Sequence, residues 1–190
     1  MKEKLTSEQC ILLLKENDIS KKIFLHSRKV NAVAKLIASK LINKGVDINY
    51  DLVDNASLLH DIKKEYCLKN DRDEFHEEDG ALLLKKLGFP NIGNVIFNHR
   101  TDQIIRKEGL TDWESKIVYY ADKRVQHDTI VSINQRINDG KIRYPHLINL
   151  IDQIIDPLIE LEKQIFKNLD IKPEDINEDS IKPYLIIEDY

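Results

Sequence analysis

The sequence predicts an all-α protein, a helical bundle that ends in a long C-terminal helix. The chain has 190 residues, of which 42% are hydrophobic, enough to bury the core of one ordinary domain. Residues that break helices are scarce, with 6 glycines and 5 prolines. No segment alternates polar and apolar residues in the way that a half-buried strand does. These observations together favour helices throughout.

Helices are predicted from apolar periodicity and from start and stop signals. Thr6, with Gln9 three residues later, is a capping box that starts the first helix. The second helix ends where Gly45 fits the position after the last turn, and the third carries Leu59 inward. In chain order, the predicted helices cover residues 6–17, 20–44, 51–63, 75–87, 90–99, 111–125, 129–138 and a long stretch that begins at Pro145.

The later helices rest on similar signals. Gly88 is expected to end the fourth helix, and Pro90 suits the first turn of the fifth. Thr111 with Glu114 has the spacing of a second capping box. Gly140 is expected to end the helix that precedes the last one.

The last helix is amphipathic and contains Pro157, where a kink is expected. Its apolar side is predicted to consist of Ile148, Ile151, Ile155, Leu158 and Ile165. The polar stretches 65–74 and 100–110 are predicted to be loops. From residue 170 the chain is acidic, so the tail 170–190 is expected to be ordered in part at most, although 184–187 could pack or pair with a partner. We therefore predict one domain, 1–169, followed by this tail.

Charge and composition exclude several classes of protein. The net charge of -4 predicts no strong attraction to nucleic acid or to an anionic membrane. No apolar run approaches the roughly 20 residues that span a bilayer, and the first residues are charged, unlike a signal peptide. Cys10 and Cys67 are too few and too far apart for a disulfide framework. A soluble cytoplasmic protein is expected, with a homodimer left open.

The histidines carry the chemical information. His26 shares a helix face with apolar residues, and His60 precedes Asp61 at the end of an apolar helix. His99 lies on the inner face of its helix, and Asp122 lies on a buried stripe, where a lone carboxylate would be costly. Imidazoles and carboxylates that converge from different helices are typical ligands of a divalent cation.

A His-Asp dipeptide by itself is weak evidence. His127 and Asp128 form a second such pair, but their polar neighbours predict a solvated helix end. His60 and Asp61 differ because an apolar segment leads into them and because they belong to an ordered series. His76 fits that series, although the acidic residues around it are also typical of a surface position at a helix start.

The ordered series resembles the HD-domain superfamily of metal-dependent phosphohydrolases, and within it the HDIG-type subgroup. The pattern H…HD…H…H…D covers about 22–137, and only Lys63 departs from the subgroup, in place of a glycine that is not a ligand. The resemblance is carried by Leu25-His26-Ser27-Arg28-Lys29-Val30, Leu58-Leu59-His60-Asp61-Ile62-Lys63, Phe75-His76-Glu77-Glu78-Asp79-Gly80, Phe97-Asn98-His99-Arg100 and Tyr119-Tyr120-Ala121-Asp122-Lys123.

The resemblance implies an HD-domain helical bundle with one or two divalent metal ions per chain. Iron, manganese or a similar transition metal is expected, with magnesium also open. One ion would be held by His26, His60, Asp61 and Asp122. In members with both intermediate histidines, these serve a second ion. Carried over, His76 and His99 would complete a two-metal site that Asp61 bridges.

Such a site activates water for attack on a phosphorylated small molecule, and the resemblance implies a nucleotide or a related phosphate ester. Lys64, three residues after Asp61, is expected to contact the phosphate, and Arg28 and Arg124 are further candidates. Asp61 is also a candidate for orienting or deprotonating the water. Lys29 and Lys123 rank below these.

Several functions stay open beside a general nucleotide phosphohydrolase. The related symmetrical diadenosine-tetraphosphate hydrolases, which release two ADP, share the ligand order, but their R-Y-x-H-T and Y-H-T-T-G motifs are absent here. A regulator that binds a nucleotide without turnover usually lacks some of the ligands. A diiron oxygenase uses similar ligands and is not separated from a hydrolase by sequence. No glycine-rich phosphate loop or G-x-S-x-G motif competes with these hypotheses.

Overall fold

The computed structural model describes residues 5–72 and 75–186, and within these ranges the protein is almost entirely helical. The prediction of an all-α fold is confirmed. A short antiparallel hairpin, β1 (Val125–Gln126) and β2 (Thr129–Ile130), is the exception. The helices are α1 (Ser7–Glu16), α2 (Lys21–Asn43), α3 (Tyr50–Leu59), α4 (Lys64–Lys69), α5 (His76–Lys86), α6 (Pro90–Asn98), α7 (Trp113–Lys123), α8 (Ile133–Arg143), α9 (Ile148–Phe166) and α10 (Glu178–Ile181).

The bundle is organised around α2, which packs against α3 and α7, while α3 also packs against α6 and α7. Helix α5 packs extensively against α6. Large side chains such as Phe24, Leu59, Ile96 and Tyr119 are fully buried between these helices, and each contributes roughly 1.5–3 kcal/mol through burial. This packing brings the end of α3 and the last turn of α7 close to α2, and it brings the start of α5 and the end of α6 close to the end of α3.

Several helix boundaries agree with the sequence. The capping box of α1 is present, because Thr6 Oγ1 accepts from Gln9 N–H while Gln9 Oε1 accepts from Thr6 N–H. Gly45 and Gly88 follow the ends of α2 and α5 with φ of 85° and 92°. A residue with a Cβ avoids this left-handed conformation, so glycine stops both helices.

The end of the third helix was predicted wrongly. Helix α3 ends at Leu59 rather than at residue 63, and His60 to Lys63 form a turn. The predicted loop 65–74 contains the short helix α4, whose only buried residue is Cys67, so it has no apolar period to reveal it. Residues 73–74 of that loop lie outside the described residues. The predicted loop 100–110 contains a 3₁₀ turn at Thr101–Ile105.

The second predicted capping box is also wrong. Asp112, rather than Thr111, caps α7, because its carboxylate accepts from the Ser115 N–H at 2.7 Å. The Glu114 carboxylate instead accepts from the Asn49 N–H at 2.7 Å. The sequence pattern suits both caps, and this long-range contact decides between them.

The helix predicted for 129–138 lies further along the chain. The hairpin β1–β2 occupies its expected start, and Ser132 with Gln135 forms the capping box of α8. Gly140 therefore lies inside α8 and does not end it. Two-residue strands are too short to show an alternating pattern, so the hairpin left no signal in the sequence.

The long last helix is present as α9, preceded by a 3₁₀ turn at Pro145–Leu147, and Pro157 lies inside it. Its buried side differs from the prediction, since Ile148 is 38% exposed and Ile155 is only partly buried. The buried residues of α9 are Ile151, Ile154, Leu158, Leu161 and Ile165. Helix α9 packs against α8, α7 and the turn Thr101–Ile105. Among the described residues, no helix combines the length and the apolar character needed to cross a membrane.

The tail is more ordered than expected. Residues 170–186 form 3₁₀ turns at Pro173–Asp175 and Lys182–Tyr184 together with α10, which packs against α2. Ile176 and Ile181 are buried, and their burial offsets the cost of ordering an acidic segment. Of the segment 184–187, the residues up to 186 pack against the core, while residue 187 lies outside the described residues.

Candidate metal centre

The structure brings all the predicted metal ligands into one buried cluster. They come from five parts of the bundle, which explains why no single sequence window contains them. The cluster consists of His26 from α2, His60 and Asp61 from the turn after α3, His76 from the first turn of α5, His99 from the end of α6 and Asp122 from the last turn of α7. His60 is 0% and Asp61 1% exposed.

Asp61 lies at the middle of the cluster, and its two oxygens face different histidines. Asp61 Oδ1 lies 3.3 Å from His76 Nε2 and 3.7 Å from His99 Nε2. Asp61 Oδ2 lies 3.5 Å from His60 Nε2 and 3.9 Å from His26 Nε2. One carboxylate therefore connects two groups of imidazole nitrogens.

Asp122 completes the first of these groups. Its Oδ1 lies 3.1 Å from His26 Nε2 and 3.6 Å from His60 Nε2, and its Oδ2 accepts a hydrogen bond from Lys123 Nζ at 2.6 Å. The partner that a buried carboxylate at this position requires is thus present. The first group contains His26, His60, Asp61 and Asp122, the set that the resemblance implies for one ion.

Two imidazoles of the cluster are held by backbone carbonyls. With the proton on Nδ1, His60 donates to the Ser57 carbonyl at 2.8 Å, and His99 donates to the Ile96 carbonyl. Each bond fixes the ring and leaves the Nε2 lone pair directed at the carboxylates. This arrangement is typical of metal-binding histidines, whose second nitrogen is hydrogen bonded to the protein.

His26 is oriented in the same way, whereas His76 lies beside an acidic side chain. His26 Nδ1 donates to the His127 carbonyl at 2.8 Å, and His76 Nδ1 lies 3.2 Å from Glu77 Oε2. The second His-Asp pair, His127 and Asp128, was predicted to be solvated and unrelated to the site. The His127 side chain is exposed in the hairpin turn, but its backbone carbonyl positions a member of the cluster.

The geometry fits one or two divalent ions. His60 Nε2 and His99 Nε2 are buried without a hydrogen-bond partner, which costs about 1–3 kcal/mol for each polar group unless a ligand is bound. Nitrogen and oxygen ligands at about 2.0–2.2 Å from one ion are about 3–3.6 Å apart at ordinary coordination angles. The distances around Asp61 and Asp122 cluster near these values.

Three overlapping groups of described residues have ligand atoms within 4.8 Å of one another. They are His26–His60–Asp122, His60–Asp61–His99 and His76–Glu77–His99. Glu77 was not among the residues predicted from the sequence. It stands in a run of acidic residues that looks solvated, and only its 9% exposure distinguishes it from its neighbours.

The charges around the carboxylates keep both of them ionised. Burial alone would raise the pKa of Asp61, but the charges of Lys64 and His60, helped by the neighbouring His76 and His99, hold it well below its usual value. Burial opposes ionisation of Asp122 as well, and Lys123 with His26 and His60 again lowers its pKa. Two carboxylates that stay negative in a dry site favour binding of a cation.

The histidines divide into two pairs. Burial lowers the pKa of His26 and of His99, against the opposing effect of the nearby aspartates. Burial would also lower the pKa of His60 and His76, but Asp61 outweighs it and both values are raised. Metal ligands must be unprotonated, so an incoming ion competes with protons held by the second pair.

Of the three residues predicted to bind phosphate, only one lines the cavity above the cluster. Lys64 Nζ lies 3.2 Å from Asp61 Oδ2 and lines the cavity above the cluster. Neither Arg28 nor Arg124 is among the described residues that line this cavity.

Arg124 is only 4% exposed, and its guanidinium is committed to the fold. It donates to the Val131 carbonyl, the Tyr120 hydroxyl and the Pro173 carbonyl at 2.7, 2.7 and 3.0 Å. It therefore ties the hairpin and the tail to α7, and the prediction of a phosphate contact is not supported for this residue. Its place directly after the last turn of α7 had suggested the opposite.

The cavity above the cluster has a volume of about 400 Å³. From the predicted loop 100–110 only Thr101 lines it, and most of the remaining wall comes from α8 and α9. Lys123, ranked low from the sequence, contributes a second lysine. The wall residues beyond α7 are Arg136, Ile137, Gly140, Tyr144, His146, Leu147, Ile151, Ile154 and Leu158.

Comparison with protein-family models matches residues 23–125 to the HD domain. Since this match covers more than half of the chain, the protein belongs to the HD-domain family. Members of the family are in general metal-dependent hydrolases that bind divalent ions, and the buried His/Asp cluster described above provides ligands for such ions. Comparison with curated proteins and with solved structures gave no match.

Proposed function

We propose that this chain is an HDIG-type phosphohydrolase that cleaves a phosphate ester or anhydride of a nucleotide or a related small molecule. The observation that carries the proposal is that the two carboxylate oxygens of Asp61 face different pairs of histidines. One of its oxygens faces His76 and His99 and the other faces His26 and His60. A single ion does not need two separate sets of ligands, so this arrangement supports a two-metal site.

The bound ions would supply acidity to a coordinated water and positive charge to the phosphate oxygens. One ion would be held by His26, His60, Asp61 and Asp122, and the second by His76 and His99 together with Asp61. Lys64 carries positive charge at the cavity wall beside Asp61, where it would bind a phosphate oxygen as negative charge develops. Its ammonium also keeps Asp61 ionised.

We infer iron, manganese or a similar transition metal as the native cofactor, in one or two copies per chain. Imidazole nitrogens outnumber carboxylates in the cluster, and such mixed ligand sets suit these ions better than magnesium, which prefers oxygen. Hydrolysis is favoured over oxygen chemistry because Lys64 lines the cavity beside the ligands, where an anionic substrate would need a positive charge.

The substrate is proposed to be a phosphorylated small molecule in the cytoplasm. Both cysteines, Cys10 and Cys67, are free and buried, as is usual in a reducing compartment. A cavity of about 400 Å³ lies near the lower end of the range for small-molecule sites, about 300–1,000 Å³. That size favours a ligand with one ring system over diadenosine tetraphosphate, which carries two.

The test is product chromatography after incubation of manganese- or iron-loaded protein with a nucleotide panel. The panel contains mononucleotides, triphosphates, cyclic nucleotides and diadenosine tetraphosphate. We expect hydrolysis by the wild type and none by Asp61→Ala, with less bound metal and unchanged helix content by circular dichroism. Asp128→Ala, the same substitution in the exposed His-Asp pair, is the matched control and should retain activity.

The outcomes separate the alternatives. Two ADP from diadenosine tetraphosphate would identify the symmetrical hydrolase. Turnover that occurs only in air would indicate a diiron oxygenase, so the panel is run both aerobically and anaerobically. No conversion by a fully metal-loaded wild type would overturn the hydrolase proposal and leave a binding role. Full activity of Asp61→Ala with metal bound would refute the assigned site.

A further inference from the structure

The outer wall of the cavity lies beyond the family core. The HD-domain match ends at residue 125, whereas the wall is built by α8, the turn Pro145–Leu147 and α9. We refer to the lining residues from Arg136 to Leu158 as the C-terminal wall. Features of the family core therefore do not determine which molecule fits against it.

The C-terminal wall is largely apolar, in contrast to the charged floor. Ile137, Ile151, Ile154 and Leu158 line it, and none of them could hydrogen bond to a phosphate or a sugar hydroxyl. Each of these side chains is at most 8% exposed, and an apolar group that covers the surface they still present to the cavity gains about 25 cal/mol per Å² removed from water. The wall thus favours the organic part of a ligand.

Gly140 provides room at this wall. It lies inside α8, where glycine costs roughly 0.8–1.0 kcal/mol relative to alanine. A Cβ at this position would approach only Ile151 Cδ1, at 3.6 Å, which is an ordinary contact. Packing within the fold therefore does not require glycine here, and a larger side chain would extend into the cavity.

Two aromatic rings border the apolar wall. Tyr144 and His146 line the cavity with their rings 6.3 Å apart and nearly perpendicular, at 81°. Tyr144 is 37% exposed, and the Arg143 guanidinium lies 5.6 Å from its ring centroid. Exposed aromatic rings of this kind offer flat surfaces for stacking of another ring.

We propose that the C-terminal wall binds a planar, weakly polar ring of the substrate and selects the substrate by that ring. The ring lies against the apolar side chains and next to Tyr144, while the phosphate points to Lys64 and the metal ligands. This inference rests on the proposed function, because it assigns the non-reacting part of the molecule whose phosphate the metal centre cleaves. Helices α8 and α9 would then select the substrate, while residues of the family core would cleave its phosphate.

The test compares adenosine 5′-monophosphate with ribose 5-phosphate, which has the same phosphate and sugar but no ring base. Preference is measured as the ratio of kcat/KM where both are hydrolysed and as the ratio of Kd by calorimetry where they are not. The metal-loaded wild type should prefer adenosine 5′-monophosphate by at least about tenfold. Gly140→Leu, which fills the space, and Tyr144→Ala should each bring the ratio towards one.

The matched control is Ile142→Ala, on the same helix, because Ile142 is 80% exposed and does not line the cavity. It should keep the wild-type ratio. The proposal is overturned if the wild type binds the two probes equally or binds neither. It is also overturned if the preference survives both Gly140→Leu and Tyr144→Ala. Failure of the proposed function has a different signature, namely a ring preference in binding without metal-dependent hydrolysis of any nucleotide.

Discussion

The same substitution, glycine to alanine, should have opposite effects on stability at two helical positions of this protein. In α6, a Cβ at Gly93 would lie 2.7 Å from the Ala81 carbonyl oxygen and 3.1 Å from Lys85 Cγ. In α8, a Cβ at Gly140 would meet only Ile151 Cδ1, at 3.6 Å. The first position has no space for a methyl group because α5 and α6 pack backbone to backbone there.

The expected magnitudes follow from these distances. Replacing glycine by alanine in a helix interior gains roughly 0.8–1.0 kcal/mol, so Gly140→Ala should raise the free energy of unfolding by about 1 kcal/mol. For Gly93→Ala the same gain is opposed by overpacking, which costs typically 1–3 kcal/mol. We use the upper end, since a backbone oxygen cannot rotate away, and expect a net loss of about 2 kcal/mol.

A functional consequence accompanies the loss at Gly93. Helix α5 begins at His76, and α6 ends immediately before His99, so separating the two helices displaces two ligands that face the same oxygen of Asp61. Gly93→Ala should therefore weaken metal binding by the second group of ligands. Gly140→Ala leaves the contacts of both helices unchanged and should bind metal normally.

The assay is thermal unfolding of the metal-free variants, followed by metal titration of the folded proteins. For a chain of this size, 1 kcal/mol corresponds to roughly 2–4 °C in Tm, so the two variants should differ by about 6–12 °C. A shift of both Tm values in the same direction would refute the reasoning. So would a Gly93→Ala variant that loses stability but keeps wild-type affinity at both metal sites, because the link between helix packing and ligand position would then be absent.

Three further predictions concern residues outside the metal cluster. Burial would raise the pKa of Asp102, but Arg106 and Arg100 lower it. The ionised carboxylate therefore stabilises the fold above the pKa of the unfolded chain, and this contribution is lost as the pH falls through the lower pKa of the folded protein. Urea titrations should show that Asp102→Asn is destabilising at pH 7 and that its stability converges with that of the wild type in acid. Burial raises the pKa of Cys10 to about 12, so labelling by iodoacetamide at pH 8 should follow the rate of opening; rapid labelling of the native protein would contradict this. Arg124→Met should lower the free energy of unfolding by about 1–3 kcal/mol, because it removes the donor to the partly buried Val131 and Pro173 carbonyls and to the buried Tyr120 hydroxyl, and an unchanged urea midpoint would exclude that role.

Much of the fold could be predicted because helix signals are local. The capping box at Thr6 and the stops at Gly45 and Gly88 depend on neighbours in the sequence, and all are present. The errors concern elements decided by distant contacts. The Glu114 carboxylate accepts a hydrogen bond from the Asn49 N–H and therefore does not complete the predicted capping box with Thr111. The tail is ordered because apolar residues such as Ile181 find a surface on α2, which the composition of the tail does not reveal.

The cluster of candidate ligands could be predicted for a different reason. Imidazole and carboxylate are costly inside an apolar core, so a histidine such as His60 stands out against its apolar neighbours. His76 stands among acidic residues instead, and it was included only because of the resemblance to the family pattern. The groups that position these ligands carry no such signal. His127 contributes a backbone carbonyl, and any residue type offers one. Glu77 looks like the acidic residues beside it until the fold buries it.

The C-terminal wall could not be predicted from the sequence, because most of its residues are aliphatic side chains that are equally common in a core. Isoleucine and leucine on α9 have the same periodicity whether they fill a core or line a cavity. At Gly140 the absence of a side chain leaves room at that wall. The candidate metal ligands, by contrast, are positioned by the bundle of the family core. Substitutions in α8 and α9 can therefore alter the shape of the cavity without moving Asp61 or its partners, so substrate selection can change while the proposed chemistry is retained.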